Sequence, residues 1–242
     1  MMLRPVIPLV AVLGLTSCNN LPGRPGPHPE VIRPEEVLDF ATLYTENCSG
    51  CHGTDGKGNA AIALKDPTYL AIADDSTIRN VTSRGVRATP MPPFAKSMGG
   101  VLTDQQIDVI VGGIRAWARS DSQSDTPRDA ALPPYSAPTS GDPKRGAEVY
   151  ATFCSSCHGA SGQGAKGGSS IVNGSYLALV SDQYLRTIVI AGRRELGAPD
   201  WRANVQGRPM SAQEITDVVA WLASQRSRYP GQPYTASAQW KR

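Results

Sequence analysis

Along the first half of the chain Val37, Phe40, Ala41 and Tyr44 recur every three or four positions up to Cys48, the period of a helix with one buried face. The spacing predicts a helix from Pro34 to Cys48, with the proline in its first turn and Glu35 and Glu36 at its positive end. A glycine-rich loop from Gly53 to Gly58 breaks the period. Thr68 then reads as the cap of a short helix through Ala73, and Asp74 as the cap of another that stops at Gly85. Thr103 with Gln106 forms a capping box for a last helix to about Trp117.

From Asp142 the same order returns. Asp142-Pro143 caps and starts a helix leading to Cys154, a longer glycine-rich loop runs from Gly159 to Gly168, Ser175 and Ser181 cap two helices, and Gly192 ends the second. Ser211 with Glu214 makes another capping box. Residues 66–94 and 173–201 align without a gap at an offset of 107, pairing Tyr69 with Tyr176, Arg79 with Arg186, Gly85 with Gly192 and Arg87 with Arg194. The pattern predicts an all-α chain in which one small helical unit is used twice, over residues 34–119 and 141–226. Residues 120–140, rich in serine, proline and alternating charge and without a period, read as the linker.

A reciprocal exchange supports the alignment. Eight residues before the first cysteine of each unit stand Phe40 and Gly146, and six residues into the last helix from Ile107 and Ile215 stand Gly113 and Trp221. If first and last helices cross there, each unit pairs one bulky side chain with one glycine in opposite order, which conserves the volume of a tight crossing.

Both first helices lead into the same pentapeptide pattern. Cys48-Ser49-Gly50-Cys51-His52 returns 106 residues later as Cys154-Ser155-Ser156-Cys157-His158. Two cysteines separated by two residues, with a histidine directly after the second, read as a c-type haem attachment site. Two thiols on one helical turn can each add to a haem vinyl group, and the next residue is placed to offer its imidazole to the iron. A zinc site would need further ligands, yet the five cysteines are these four plus Cys18 and the three histidines these two plus His28. A redox disulfide would want one such motif beside a βαβ pattern, which the helical periodicity does not supply. The expected cofactors are therefore two covalent haem c groups.

The ends and the charge complete the picture. Arg4 is followed by the uncharged apolar run Pro5–Leu15, too short to span a bilayer, so residues 1–17 read as an export signal. Leu15-Thr16-Ser17-Cys18 resembles the lipobox of bacterial lipoproteins, which implies lipidation of Cys18 and a protein held on the periplasmic side of a bacterial membrane. Residues 18–33, rich in proline and glycine and containing His28, read as a tether; residues 227–242, with Tyr234 and Trp240, read as an extended tail. The formal charge is +3, which four haem propionates would bring to about −1. The interspersed charges give no reason to expect nucleic acid.

With helix, attachment motif, glycine-rich loop, short helices, ligand loop and final helix in this order, each unit resembles a class I cytochrome c domain. The resemblance implies that a methionine from the loop before the last helix takes the sixth iron position. Met91 in Met91-Pro92-Pro93-Phe94 matches it, with Met98 as the alternative. In the second unit the aligned residue is Ala198, which cannot coordinate iron; Met210 remains, but it aligns with Leu102. An open or water-bound iron, a nitrogen from Lys166 and a ligand from a partner protein are the other possibilities there. The implied function is a membrane-tethered dihaem cytochrome c, an electron carrier between redox protein partners of a respiratory or photosynthetic chain. Two alternatives stand beside it: a haem enzyme or ligand-binding protein with an open second iron, and a subunit docked in a larger complex.

Overall fold

The computed structural model describes residues 32–120, 131–203 and 205–227. Among these residues the secondary structure is helical, with isolated bridge pairs and no strand. Five helices precede residue 121: α1 (Phe40–Asn47), α2 (Ser49–His52), α3 (Pro67–Ile72), α4 (Asp75–Arg84) and α5 (Asp104–Ser120). Five follow: α6 (Pro143–Phe153), α7 (Ser155–His158), α8 (Gly174–Leu179), α9 (Asp182–Ala191) and α10 (Ala212–Ser224). Helices α3 and α8 begin and end 107 residues apart, as do α4 and α9, so the gapless repeat seen in the sequence is a repeat of structure.

Several boundaries differ from the sequence reading, each for a local reason. Helix α1 begins at Phe40, because the Asp39 carboxylate accepts a hydrogen bond from Thr42 N–H at 2.7 Å and satisfies a donor the helix leaves unpaired. Pro34–Glu36 forms a separate 3-10 turn. The short helices are capped by Asp66 and Asn173, not by Thr68 and Ser175. Asp66 accepts from Tyr69 N–H at 2.9 Å with Pro67 in the first turn, and Asn173 accepts from Ser175 and Tyr176 N–H at 3.0 and 3.1 Å. Thr68 is instead fully buried. Asp74 and Ser181 cap as expected, and both capping boxes form: Thr103 exchanges hydrogen bonds with Gln106, and Ser211 with Glu214. Helix α5 continues to Ser120, into the stretch read as linker.

In each lobe the first and last helices cross where the exchanged residues meet. A Cβ on Gly113 would strike the Phe40 ring, and one on Gly146 would strike the Asp217 carbonyl and come within 2.8 Å of Trp221 Cβ. An indole fills the neighbouring space in both lobes from adjacent turns of the last helix. Trp117 lies against Gly56 and packs edge-on to Phe40 and Tyr44, while Trp221 lies near Gly162 and stacks on Tyr150 at 4.2 Å between centroids. Around these crossings Leu43, Ile78, Ile107, Ile110 and Ile114 fill the first core, and Phe153, Ile190, Trp201, Ile215 and Val218 the second. Each such side chain contributes about 1.5–3 kcal/mol by leaving water.

The two lobes lie within one compact unit that begins at Glu35, and they share side chains. Helix α3 of the first packs on α9 of the second. Ala191 belongs to the first core, and Ile72 packs against the second. Residues 131–140 are held between them. Tyr135 packs on the first core and Leu132 on the second, while Gln183 donates to Tyr135 O at 2.8 Å. Arg186, 2 % exposed, donates to Pro134 O, Tyr135 O and Thr216 Oγ1 at 2.9–3.1 Å. In the first lobe the matching Arg79 pairs with Asp108 at the surface. With threonine in place of that aspartate, the second lobe's arginine takes backbone carbonyls as its partners.

The crossing generates a double-mutant prediction. Gly113→Ala is expected to cost about 1–3 kcal/mol in denaturant unfolding of the haem-loaded chain, the usual penalty for overpacking. In a Phe40→Ala background the same change should cost less, with a coupling of at least about 0.5 kcal/mol; additive effects would mean that the two helices do not cross there.

Candidate functional site

Each cysteine pair sits on a turn set by the helix before it. Cys48 ends α1 with its N–H on Tyr44 O at 2.9 Å, and the N–H groups of Cys51 and His52 both return to Cys48 O, at 3.2 and 3.0 Å. The second lobe reproduces these bonds: Cys154 to Tyr150 O at 2.9 Å, then Cys157 and His158 to Cys154 O at 3.2 and 3.0 Å. One short helical turn therefore carries two thiols and an imidazole in each lobe. The hydroxyl of Tyr44 donates to Gly53 O at 2.8 Å, and that of Tyr150 to Gly159 O, which ties the end of each turn back to its first helix.

The imidazoles are fixed from the loops that follow. His52 Nδ1 lies 2.9 Å from Ile62 O and His158 Nδ1 lies 2.8 Å from Ser169 O. A carbonyl only accepts, so Nδ1 carries the proton and Nε2 keeps its lone pair, the arrangement of a metal-binding histidine. Burial pushes the His52 imidazole below its ordinary range, against the opposing effect of the Ile62 bond, and so favours the neutral form that a metal needs. Gly168 lies against the His158 ring, where a Cβ would meet Nδ1 at 2.9 Å.

Cys48 and Cys154 are half-buried, Cys51 and Cys157 are exposed, and none of the four is in a disulfide. Burial pushes the Cys48 thiol up to about 11 and the Cys154 thiol up to about 12, with the second cysteine of each pair adding to the rise. Redox-active cysteine pairs have the opposite tendency, a thiol shifted down. Two cysteines outside any disulfide and an imidazole whose Nδ1 is already bonded, all on one turn, fit a haem attached through both cysteines and bound at iron by the histidine.

Met91 and Ala198 occupy corresponding places on a short strap before the last helix. Val86 N–H bonds to Met91 O at 3.0 Å, and Arg193 N–H to Ala198 O at 3.0 Å. Gly85 packs on Met91 O and Pro92, and Gly192 on Ala198 O and Pro199, so closely that a Cβ at either would lie within 2.8 Å of those backbones. Leu102 N–H bonds to Phe94 O at 2.8 Å, and Met210 N–H to Trp201 O at 2.9 Å. Met210 therefore stands where Leu102 does, 3 % exposed against 4 %, each in the core of its lobe. Met98 is 49 % exposed. Cys18 and His28 lie outside the described residues.

Sequence reasoning missed how the second strap is held. Arg193 donates to Asn59 O of the first lobe at 2.7 Å and to Tyr184 Oη at 3.2 Å, and it pairs with Glu195. Arg194 pairs with Asp200 at 3.1 Å and stands 3.8 Å from Asp66 of the first lobe. Asp200, 6 % exposed, also binds Arg202. Burial by itself would raise its carboxyl, but the hydrogen bonds and charge of Arg202, helped by Arg194, hold it below the usual range. Arg194 and Arg202 flank Asp200, while Arg193 and Arg194 reach Asn59 and Asp66 of the first lobe, partners that no local motif marks.

Comparison with known proteins agrees with this geometry. Residues 143–226 match the family model described as cytochrome c, and residues 35–112 match the model described as cytochrome c oxidase, cbb3-type, subunit III. The chain is 28 % identical over 152 residues to the cbb3-type cytochrome c oxidase subunit CcoP of Azospirillum sp. (strain B510), covering 56 % of this chain and 45 % of that protein. It is 24 % identical over 162 residues to subunit FixP of Azorhizobium caulinodans, covering 62 % and 50 %. It thus spans about half the length of these oxidase subunits. It is also 21 % identical over 232 residues to the cytochrome bc1 complex cytochrome c subunit of Mycobacterium tuberculosis (strain H37Rv), covering 92 % and 78 %.

The Asp200 cluster sets a pH dependence. Its carboxyl is held below the ordinary range, so the stability it contributes is complete above the unfolded value of about 4 and is lost as pH falls through the lower folded value. Asp200→Asn should cost about 1–3 kcal/mol at neutral pH by removing the carboxylate that Arg194 and Arg202 share, toward the low end because Arg194 is half exposed. In thermal unfolding the gap to wild type should narrow as pH is lowered below about 4; a gap unchanged down to pH ~3 would contradict the pairing.

Proposed function

The chain is a dihaem member of the cytochrome c family, and from that premise we propose that it relays single electrons between redox protein partners of a bacterial respiratory chain. The observation that carries the proposal is the duplicated Cys-Cys-His turn, with each imidazole held at Nδ1 by a loop carbonyl. Bound haem supplies one-electron chemistry at its iron. The chain's own residues attach, orient and insulate it. Cys48, Cys51, Cys154 and Cys157 would take the thioether bonds, His52 and His158 would each offer Nε2 to an iron, and Met91 would supply the second protein ligand in the first lobe. A thioether there favours reduced iron and raises the potential. The segment 59–62, which orients His52, also receives Arg193 from the second lobe and so links the two sites.

The relatives and the N-terminal sequence support a setting for the relay. The relatives are named as subunits of cbb3-type oxidases and of a bc1 complex, which supports a place for this chain against a larger membrane assembly. Among the described residues no helix is long and apolar enough to cross a membrane. Attachment is assigned instead to a lipid on Cys18 at the periplasmic face, with residues 18–33 as the tether; several acyl chains make such an anchor firm.

Potentiometric titration of the purified chain, followed in the visible spectrum, should give two one-electron waves. Replacing Cys154 and Cys157 with alanine together should remove one wave and leave the other near its original midpoint. A single wave in the wild type, or loss of both in the variant, would contradict two independent attachment sites.

A further inference from the structure

We propose that the iron held by His158 keeps its sixth position open to a small neutral diatomic ligand of the carbon monoxide and nitric oxide class. The inference rests on the relay reading above, with Met91 as the sixth ligand in the first lobe, and it concerns what the second lobe offers at the same place.

The methionine, histidine and attachment-loop lysine that could reach the second iron are few, and the described residues show where each lies. Between residues 141 and 226 the chain has one methionine, Met210, and one histidine, His158. Met210 repeats Leu102 in position, backbone hydrogen bond and burial, and packs among Phe153, Trp201 and Ile215. Leucine fills that space in the first lobe, so the space calls for an apolar side chain and not for a ligand. Lys166 is exposed on the loop whose next two residues, Gly167 and Gly168, lie against Cys157 and the His158 ring. Lys166 therefore begins the segment that packs beside His158, the residue that would bind the iron from the opposite side. The strap residue that answers to Met91 is Ala198, whose methyl group has no lone pair.

The strap is also prevented from rearranging. Arg193 and Ala198 close it with a reciprocal pair of backbone hydrogen bonds at 3.0 Å. Arg193 is fastened to Asn59 O and Tyr184, and Arg194 to Asp200. A strap held in this way offers only a methyl group where the first lobe offers a thioether, and a sixth position without a protein donor would be available to a ligand small enough to enter.

The experiment uses the full haem-loaded chain, with haem counted on the same sample by the pyridine haemochrome so that failure of the dihaem reading shows separately. Titration of the reduced protein with carbon monoxide should give one molecule bound per two haems, and the oxidised protein should show a high-spin resonance from half of its iron. Ala198→Met should abolish uptake and double the thioether-to-iron charge-transfer band, while Met210→Leu should leave uptake unchanged. No uptake by the wild type, with all iron low-spin, would overturn the proposal, as would uptake that Ala198→Met does not lower. Two molecules per chain, falling to one in Ala198→Met, would uphold the open second site and overturn Met91 as the first lobe's ligand.

Discussion

The structure depends on one hydrogen bond made twice, from the Nδ1–H of a histidine to a carbonyl in the loop that follows it. His52 to Ile62 O and His158 to Ser169 O connect the short turn carrying the thiols to a loop that local helix geometry would leave free. With Nδ1 committed, Nε2 is the nitrogen left for iron, and the loop carbonyl sets the direction of the ring. The tyrosine one helical turn before the first cysteine adds a second tie, from its hydroxyl to the glycine after the histidine. Helix, turn and loop thus form one braced unit, and the remaining helices of each lobe pack behind it.

The two copies have diverged where they touch each other. Asp108 in the first lobe is Thr216 in the second, and Arg186 turns from a carboxylate to the carbonyls of Pro134 and Tyr135. The exchange anchors the second part of the linker and fixes one lobe against the other, as do Ala191 and Ile72 by entering the opposite core. Burying a guanidinium is costly; its carbonyl and hydroxyl partners satisfy the donors while helping to join the halves. Through Asn59 and Arg193 the loop beside His52 holds the strap that carries Ala198.

Much of this was legible in the residues, and the exceptions have a common cause. Helix existence, the gapless repeat and the capping boxes were readable because caps and amphipathic faces are local. The Phe40/Gly113 and Gly146/Trp221 exchange was readable because volume at a tight crossing is conserved even when its owner changes. The start of α1 was missed because Pro34-Glu35-Glu36 mimics a helix opening while Asp39 provides the stronger cap. Asp66 and Asn173 were passed over for Thr68 and Ser175 by a similar two-residue error. The contact between lobes was not readable at all. Arg186, Gln183 and Arg193 bind main-chain carbonyls, and a carbonyl is the same in every residue, so the sequence carries no mark of which one is used.

Peptide mapping by mass spectrometry of the mature chain, expressed with a working haem-attachment machinery, tests the central claim most directly. The account predicts that the fragment carrying Cys48–His52 and the fragment carrying Cys154–His158 are each heavier by one haem. Unmodified thiols in either fragment would contradict it.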